Sequence, residues 1–589
     1  MLASELPIEI TLFIARFLQS ADKIQCCLVC KAWTPAFQQS LFEAVIIKRY
    51  SGANKLVDST NLANNLLQRY GHKTQTLEIS KSTFLGDHQL YALQKYLPNI
   101  QYFKWSSKEI KLLLLTDFNG WNLWAESLTD LEITVKDYGY DILPKILDSI
   151  RSNLHRLKRL HFEGLNYDSF SPCTFDDFEL LNDQLPELTK LLLTVQFDKM
   201  SPDELLKVKE INPRPYLKTL GMFIEKNTYE WLYYIAVKYP NISSLKLLSF
   251  TESTISFQTY QASQMLAKLS CPFQHLEKLT VEVGSTSEQT YLDFVNRLGL
   301  FNVPIKEIDL TIYNSLSFNV SNKDILQSIK IFANTLEKLR IVYFISSYYS
   351  GFSDELVYCP RLVDLTIEIQ GTTTMLDVLL EQYPSLKNLS ISSGDLTLRP
   401  DLTILSIEHG LSHFSLKDSF ITASTLNYIS ICCKKLSTMR LKFVNIKGPQ
   451  QGNTGDNCID MSSTHFTKLN IKGIQFFDSF NRVQIALFVL SSSVAPIKNT
   501  WVYSIPDALI NNGSSQLITR KLNEEESKEA EKYFCNFAGS VCPEDTKEQV
   551  DEYIKSLSEN DWRPVLPKGY STFKYGSLKT LLFDGEHKE

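Results

Sequence analysis

The chain has 589 residues and a formal net charge of −6. Its apolar fraction of 44% and charged fraction of 21% are ordinary for a folded protein. The mild negative charge provides no global field that would recruit nucleic acid or an anionic membrane. Glu5 and Glu9 interrupt the apolar start that a signal peptide needs, and no apolar run is long enough to cross a bilayer. The sequence therefore predicts a protein of the cytoplasm, the nucleus or both, with reduced thiols.

The stretch from Leu6 to Phe42 has the clearest helical pattern. Its first apolar residues recur at three- and four-residue steps, which predicts one inward-facing helix face. These residues are Leu6, Ile10, Phe13, Ile14, Phe17 and Leu18. Asp22 is expected to cap a second helix, and a third short helix is expected to turn Trp33 and Phe37 inward. Three helices in so few residues make a very small core, which predicts a module completed by a partner.

This stretch resembles the F-box family. The residues that carry the resemblance are Leu6-Pro7, Glu9-Ile10, Ile14, Leu18, Asp22, Cys27, Val29-Cys30-Lys31, Trp33 and Leu41-Phe42. The resemblance implies a three-helix F-box over residues 1–48 that docks on a Skp-type adaptor and, through it, on a cullin–RING ubiquitin ligase. The implied adaptor-binding residues are Leu6, Pro7, Ile10, Ile14, Leu18, Val29 and Trp33.

A short Leu-x-x-Leu-x-Leu phrase, with other apolar residues substituting, returns from Thr76 onward at an average spacing of about 28 residues, as in leucine-rich repeats. Clear copies end in Leu131-x-Ile133 and in Met439-x-Leu441. The last two apolar positions point to one side of a short strand, and parallel stacking of such strands builds one continuous core. Prolines in pairs such as Leu97-Pro98 and Tyr383-Pro384 are expected to end the intervening helices.

The arrangement resembles the leucine-rich-repeat class of F-box proteins. It predicts an α/β fold in which the F-box precedes a curved solenoid, with parallel strands inside, helices outside and a C-terminal capping segment. The expected boundaries are 49–75 for a helical connector, 76–500 for the solenoid and 501–589 for the capping segment. Within the connector we expect a helix around 56–70. Within that last segment we expect an acidic helical run at 523–526 inside the stretch 517–537, a helix over 544–557 and a final strand near 578–583.

Function in a repeat array usually lies on the exposed side chains between the buried leucines. These positions predict an acidic middle and a basic far end. The acidic positions are Asp130, Glu132, Glu282, Glu307, Asp309, Asp364 and Glu368, and the basic ones are Arg440, Lys442, Lys468 and Lys472. A solvated face of mixed charge is the plain interpretation. The sharper hypothesis is that the basic end binds an acidic or phosphorylated segment of a target.

The segment from Lys447 to His465 is rich in Gly, Asn and Ser and is expected to be a loop, either a binding element or a tolerated insertion. The sequence has no histidine at triad or metal-ligand spacing and no phosphate-binding glycine loop. Cys27 and Cys30 form an isolated C-x-x-C that the helical core accounts for. We therefore expect no catalysis, no metal and no cofactor.

Three functions remain open from the sequence. The favoured one is a substrate receptor of an SCF (Skp–cullin–F-box) ubiquitin ligase, with the adaptor on the F-box and an unidentified protein target on the repeats, marked for ubiquitination and degradation. The first alternative is a leucine-rich-repeat interaction scaffold whose N-terminal helices only cap the repeats. The second is a regulator of an enzyme that uses the same repeat face. None of them involves nucleic acid or a membrane.

Overall fold

A computed structural model describes residues 5–48, 66–80, 87–107, 119–135, 142–164, 172–224, 228–249, 257–284, 288–313, 327–344, 356–400, 408–448, 457–477, 484–494, 499–505, 518–537 and 561–583. The chain divides into two compact units, Met1–Glu282 with Phe301–Val303, and Val283–Leu300 with Pro304–Glu589. This division falls inside the range expected for the solenoid, and each unit is a repeat array in its own right.

The first unit alternates helices and strands along the chain. Its helices are α1 (Ile8–Arg16), α2 (Ser20–Val29), α3 (Thr34–Phe42), α4 (Leu66–Tyr70), α5 (Asp87–Tyr96), α6 (Ile142–Asn153), α7 (Phe175–Gln184), α8 (Pro202–Lys207), α9 (Thr228–Lys238) and α10 (Phe257–Ala267). Its strands are β1 (Ala44–Ile47), β2 (Thr76–Ile79), β3 (Tyr102–Ser107), β4 (Asp130–Val135), β5 (Arg159–Gly164), β6 (Lys190–Gln196), β7 (Thr219–Phe223), β8 (Ser244–Ser249) and β9 (Lys278–Gly284). Short 3-10 helices cover Gly71–Lys73, Asn119–Trp124 and Val208–Glu210.

The strands of the first unit pair in chain order, each parallel to the next from β1 to β8. The register places equivalent phrase positions side by side, so that Leu131 lies opposite Phe103 and Leu160. All three of these side chains are buried, at 1% exposure or less. The strands therefore add to one sheet whose core runs from repeat to repeat, as the phrase predicts.

The second unit continues the same design with longer strands. Its helices are α11 (Glu288–Leu300), α12 (Leu376–Gln382), α13 (Ala423–Cys432) and α14 (Glu524–Phe537), with a 3-10 helix over Arg563–Lys568. Its strands are β10 (Glu307–Tyr313), β11 (Lys338–Phe344), β12 (Asp364–Ile369), β13 (Thr373–Met375), β14 (Asn388–Ser392), β15 (Asp395–Thr397), β16 (His413–Thr422), β17 (Thr438–Lys447), β18 (Asn457–Lys472), β19 (Gln475–Phe477), β20 (Gln484–Ile485), β21 (Leu487–Ser492), β22 (Thr500–Ile505), β23 (Ile518–Lys521) and β24 (Ser571–Phe583).

Strands β10, β11, β12, β14, β16, β17 and β18 pair in that order, all parallel. The last strand of the chain, β24, then pairs in parallel with both β18 and β21. Strands β21, β22 and β23 continue as an antiparallel group, which packs with α14 around Trp501, Trp562 and Val565. The final strand is thus longer than the expected 578–583 and joins the repeat sheet to this small C-terminal core.

The structure confirms that the repeat phrases form strands and that helices end before the prolines. Helices α5, α7, α9 and α12 each end two residues before a proline, because proline disfavours helical backbone at the residue that precedes it. Two expected helices involve residues that the structure does not describe. These are residues 56–65 of the first helix and the whole of the second, 544–557. In the expected 56–70 helix, only α4 at Leu66–Tyr70 is described.

Two local expectations are wrong. The segment 447–465 is not a loop throughout, because Asn457 already begins the long strand β18, and residues 449–456 lie outside the described residues. Asp22 does not cap α2: the N-cap residue is Gln19, whose side chain makes no capping hydrogen bond, and Asp22 lies in the first turn, where a carboxylate still favours the positive helix end.

His409 is a buried histidine that ties two repeats of the second unit together. Its Nε2 lies 3.0 Å from the carbonyl oxygen of Tyr383, and the backbone N–H of Leu411 donates to Nδ1 at 3.2 Å. This pair of contacts fits only the neutral ring with its proton on Nε2. Burial lowers the pKa of His409 below the usual 6.5, against the opposing hydrogen bond to Tyr383.

Because the folded pKa is depressed, the unfolded chain binds the proton first as the pH falls. The stabilisation due to neutral His409 is therefore complete above about pH 6.5 and is lost progressively below it. We expect the His409→Asn variant to be less stable than the parent by about 1 kcal/mol at pH 7.5, for one lost hydrogen bond, and this difference to shrink at pH 5. Denaturant unfolding at both pH values measures it, and an unchanged difference would contradict the assignment.

Candidate functional site

The first three helices form a unit with very little core of its own. Helices α1 and α2 both pack on α3, which buries Ala36 and Phe37. Helix α1 buries only Thr11 and Ala15, and α2 buries no residue at all. The consequence is that the apolar residues of α1 and α2 lie mainly outside the packed interior.

These outward side chains make up a surface that we call the apolar helix face. It consists of Ile8, Ile10, Phe13, Ile14, Phe17, Ile24, Leu28 and Val29. Phe17 and Leu28 are the most open, at 73% and 76% exposure, and the rings of Phe13 and Phe17 pack edge to face with centroids 5.0 Å apart. The sequence places Phe13 and Phe17 on an inward face, and this expectation is wrong, because α3 covers only the opposite side of α1.

The residues implied for adaptor binding divide into three groups. Ile10, Ile14 and Val29 belong to the apolar helix face. Pro7 is exposed at the N-cap of α1, while Leu6 and Leu18 are half-buried. Trp33 is half-buried too, and its ring lies 5.5 Å from that of Phe37, so it helps to hold the unit together.

Sequence reasoning missed Phe17 and Leu28 as surface residues. A signal was present, since α1 and its C-cap residue Phe17 carry apolar side chains at Ile8 and Ile10 as well as at Phe13, Ile14 and Phe17. Such a distribution is wider than the single stripe that one packing partner covers. An exposed apolar surface of this kind on a folded unit marks a site of interaction.

The acidic positions of the repeat face carry much less net charge than the sequence indicates. Glu132 on β4 accepts hydrogen bonds from Lys104 at 2.5 Å and Tyr102 at 3.1 Å, and His161 on β5 lies 3.8 Å away. Burial disfavours the charged carboxylate, but the Lys104 and Tyr102 contacts outweigh it and hold the pKa of Glu132 below its usual value.

The same neutralisation recurs along the strands. Asp309 pairs with Arg340 at 2.9 Å and Glu282 with Lys246 at 2.8 Å. Asp130 is buried beside Arg159, and Asp364 lies 4.0 Å from Lys338. The partners stand on neighbouring strands, so opposite charges face each other across the ladder. Where these contacts occur, the acidic middle is a face of paired charges, which corrects the sequence expectation.

The basic end differs because its cations face one another. The register aligns Lys442 on β17 with Lys417 on β16 and with Lys472 on β18. We call these three residues the lysine row. Arg440 and Lys468 are exposed on the same strands, Arg440 opposite Ser415 and Asn470, and Lys468 opposite Thr438 and Thr580. The structure thus brings Lys442 and Lys472 together and adds Lys417, which the sequence analysis did not select.

A backbone bend follows the lysine row in each repeat. Asp418, Phe443 and Gly473 come directly after the three lysines and have φ of 49°, 55° and 60°. Ser393 has φ of 65° at the end of β14, one repeat earlier. The left-handed region favours glycine and is a genuine outlier for a bulky residue. The Phe443 ring lies close to two ammonium groups, with Lys442 Nζ at 5.0 Å and Lys472 Nζ at 5.3 Å from its centroid.

The described residues contain no group of three or more His, Cys, Asp or Glu side chains placed to hold a metal ion. Their helices include none that is long and apolar enough to span a membrane. Cys27 is half-buried, and burial together with the neighbouring Cys26 raises the pKa of its thiol. A raised pKa makes this cysteine a weaker nucleophile and metal ligand at neutral pH.

Comparisons with known proteins find similarity among solved structures. No protein-family model matches the chain, and no curated protein matches it either. Among solved structures, the chain is similar to an internalin of Listeria monocytogenes strain 4b F2365, at 11% identity and a TM-score of 0.28. The match covers 70% of this chain and 96% of the internalin. The repeat assignment therefore stands on the strand register and the buried phrases of this chain.

Proposed function

We propose that the chain is the substrate-recognition subunit of an SCF-type ubiquitin ligase. The helical unit α1–α3 docks on a Skp-type adaptor through the apolar helix face, and the repeat strands hold a protein target. The chain performs no chemistry in this function. It raises the effective concentration of the target near a ubiquitin-charged enzyme, which is how tethering accelerates a transfer step.

The observation that carries this proposal is the exposure of α1 and α2. A cap on a repeat array turns its apolar side toward the repeats and a polar side outward. Here Phe17, Leu28 and Val29 are all more than half exposed. A role as a cap leaves that exposure unexplained, whereas a docking surface requires it. Together with the F-box order of residues, this supports an adaptor as the occupant.

A second candidate is an interaction scaffold that has no link to ubiquitination. It is favoured by the paired charges on the repeat strands, such as Glu132 with Lys104 and Asp309 with Arg340, because a charge-patterned face suits protein recognition by itself. In this function the apolar helix face would bind another protein, or a second copy of the chain. In both candidate functions the chain is a repeat protein that binds other proteins.

The two candidates differ in what the chain captures. We expect affinity capture of the tagged full-length chain from proteasome-inhibited cells to recover a Skp-type adaptor and a cullin, and the Phe17→Ala/Leu28→Ala variant to lose both. These exposed positions are better tests than Trp33, which packs on Phe37 and whose loss would disturb folding. Absence of adaptor and cullin from the wild-type capture would favour the scaffold.

A control separates loss of binding from loss of structure. Leu206 and Tyr216 are exposed at 52% and 71% elsewhere in the first unit. The Leu206→Ala/Tyr216→Ala variant removes comparable exposed apolar surface and should retain the adaptor. Proteins that accumulate on the wild-type chain only under proteasome inhibition are then candidate targets.

A further inference from the structure

The lysine row places like charges side by side on three adjacent strands. Lys417, Lys442 and Lys472 are all half-buried and occupy one register position. Like charges directly opposite on neighbouring strands are destabilising, and elsewhere on the repeat face such positions hold opposite charges. A row of this kind is therefore a poor choice for stability alone.

Among the described residues, carboxylates lie close to this row and to the neighbouring Lys447. Asp418 lies 3.2 Å from Lys417. Asp395 lies on β15, where burial raises the pKa of its carboxyl and the positive charge of Lys447 opposes that rise. Lys447 itself stands 5.3 Å from the centre of the Phe420 ring, which is 39% exposed. Arg440 and Lys468 add further positive charge on the same strands, so the cations named in this part of the described chain outnumber the carboxylates.

Phe443 is held in a backbone conformation that phenylalanine rarely adopts. Its φ is 55°, and the equivalent position of the next repeat is Gly473, which adopts φ of 60° without side-chain strain. A bulky residue kept in this region points to a role for its side chain. Its ring lies within 5.3 Å of both Lys442 Nζ and Lys472 Nζ, and so fixes their ammonium groups over one aromatic surface.

We propose that the lysine row and Phe443 bind an acidic segment of the target, with the carboxylates on one side of an extended chain facing strands β16, β17 and β18. Adjacent strands are about 4.8 Å apart, so the row spans about 10 Å, the length of about three extended residues. Lysines offer separate point charges along this length, which suits a run of carboxylates, whereas planar bidentate capture of one phosphate is the task of arginine. The proposal deepens the proposed function by naming the chemistry of its target.

Fluorescence anisotropy with the full-length chain tests this proposal. The probe is a labelled peptide that contains a run of glutamates, compared with the same peptide in which glutamines replace them. We expect only the glutamate peptide to bind, and its binding to weaken as the salt concentration rises. The Lys442→Glu/Lys472→Glu variant should bind this peptide at least about tenfold more weakly than the wild type does. The matched control is Lys434→Glu/Lys435→Glu, which changes the net charge equally at exposed positions just before β17 and should bind as the wild type does.

The Phe443→Gly variant gives a readout that a purely structural residue would not give. We expect it to bind the glutamate peptide more weakly while unfolding at no lower denaturant concentration, since glycine relieves the backbone strain. Equal binding of the glutamine peptide, or equal loss in the control variant, would overturn the proposal. So would tighter binding of a neutral peptide with one phosphoserine, or of a single-stranded oligonucleotide.

This experiment is independent of the adaptor. Binding of a Skp-type adaptor by the Lys442→Glu/Lys472→Glu variant should equal that of the wild type, because the variant leaves α1–α3 unchanged. Peptide binding without adaptor binding would retain the acidic-segment proposal and reject the ligase, and adaptor binding without peptide binding would do the reverse.

Discussion

Replacement of Lys238 by methionine should lower the free energy of unfolding of the first unit by about 3–5 kcal/mol, because it leaves a carboxylate without its partner in a mostly buried site. The Lys238 side chain is 1% exposed, and its Nζ lies 2.6 Å from an oxygen of Glu179, which is 20% exposed. The hydroxyl of Tyr234 donates to the other carboxylate oxygen. Lys238 ends α9 and Glu179 lies in α7, so the pair joins the helices of two repeats.

The neighbouring groups make this network hard to rearrange. Tyr239 donates to the amide oxygen of Asn182 at 2.8 Å, and the rings of Phe178 and Trp231 pack on that of Tyr234 at 5.6 and 5.5 Å. Little space therefore remains for water to solvate an unpaired carboxylate. The double variant Lys238→Met/Glu179→Gln removes both charges and should recover most of the lost stability, since replacing a buried ion pair as a whole is often close to neutral.

Denaturant unfolding followed by tryptophan fluorescence measures this loss, and hydrogen exchange over Thr228–Lys238 localises it. If the single variant were as stable as the double variant, the pair would be too well solvated to matter and the assignment would fail. An extensive loss in both variants would show instead that the methionine fits the site badly.

The repeat phrase was sufficient to predict the local structure because each copy carries its own periodicity. Leu160 and Phe162, for example, are two apart, and both are fully buried on β5. The proline that follows a helix, as in Tyr383-Pro384, marks the helix end through the local backbone restriction. Signals of this kind lie within a few residues of one another, so the sequence alone shows them.

Long-range pairing explains what the sequence could not show. Asn457 to Met461 read as part of a glycine- and asparagine-rich loop, yet they form strand because β24, more than a hundred residues later, pairs with them from Ser571 to Tyr575. Turn-forming composition is a local tendency, and tertiary pairing overrides it. The lysine row has the same origin, since Lys417 joins Lys442 only through the register of β16 with β17.

The charges of the repeat face were predictable in part. Lys104, Glu132 and His161 occupy the same phrase position in successive repeats, so alignment of the phrases indicates that they are neighbours. The exposure of Phe17 and Leu28 was not predictable in this way. An apolar stripe that packs on a core and one that awaits a partner have the same sequence pattern.

The apolar helix face leads to the second large effect, on binding. The Phe17→Glu/Leu28→Glu variant should bind a Skp-type adaptor at least about a hundredfold more weakly than the wild type, because each buried apolar side chain contributes about 1.5–3 kcal/mol and a buried unpaired carboxylate adds a further cost. Both side chains are more than 70% exposed in the chain alone, so its own stability should change by less than about 0.5 kcal/mol.

Two further results should accompany this loss. The free wild-type chain exposes the apolar helix face and should self-associate with rising concentration, whereas the Phe17→Glu/Leu28→Glu variant should stay monomeric in light scattering. The control variant Leu206→Glu/Tyr216→Glu adds the same charges at other exposed positions of the first unit and should keep both the self-association and the adaptor binding.

Isothermal titration of the full-length wild-type chain with a purified Skp-type adaptor tests the central claim most directly. We predict a complex of one chain with one adaptor, a negative heat-capacity change from burial of the apolar helix face, and loss of the signal in the Phe17→Glu/Leu28→Glu variant. The absence of any binding by the wild-type chain at micromolar concentrations, or equal binding by that variant, would contradict the account.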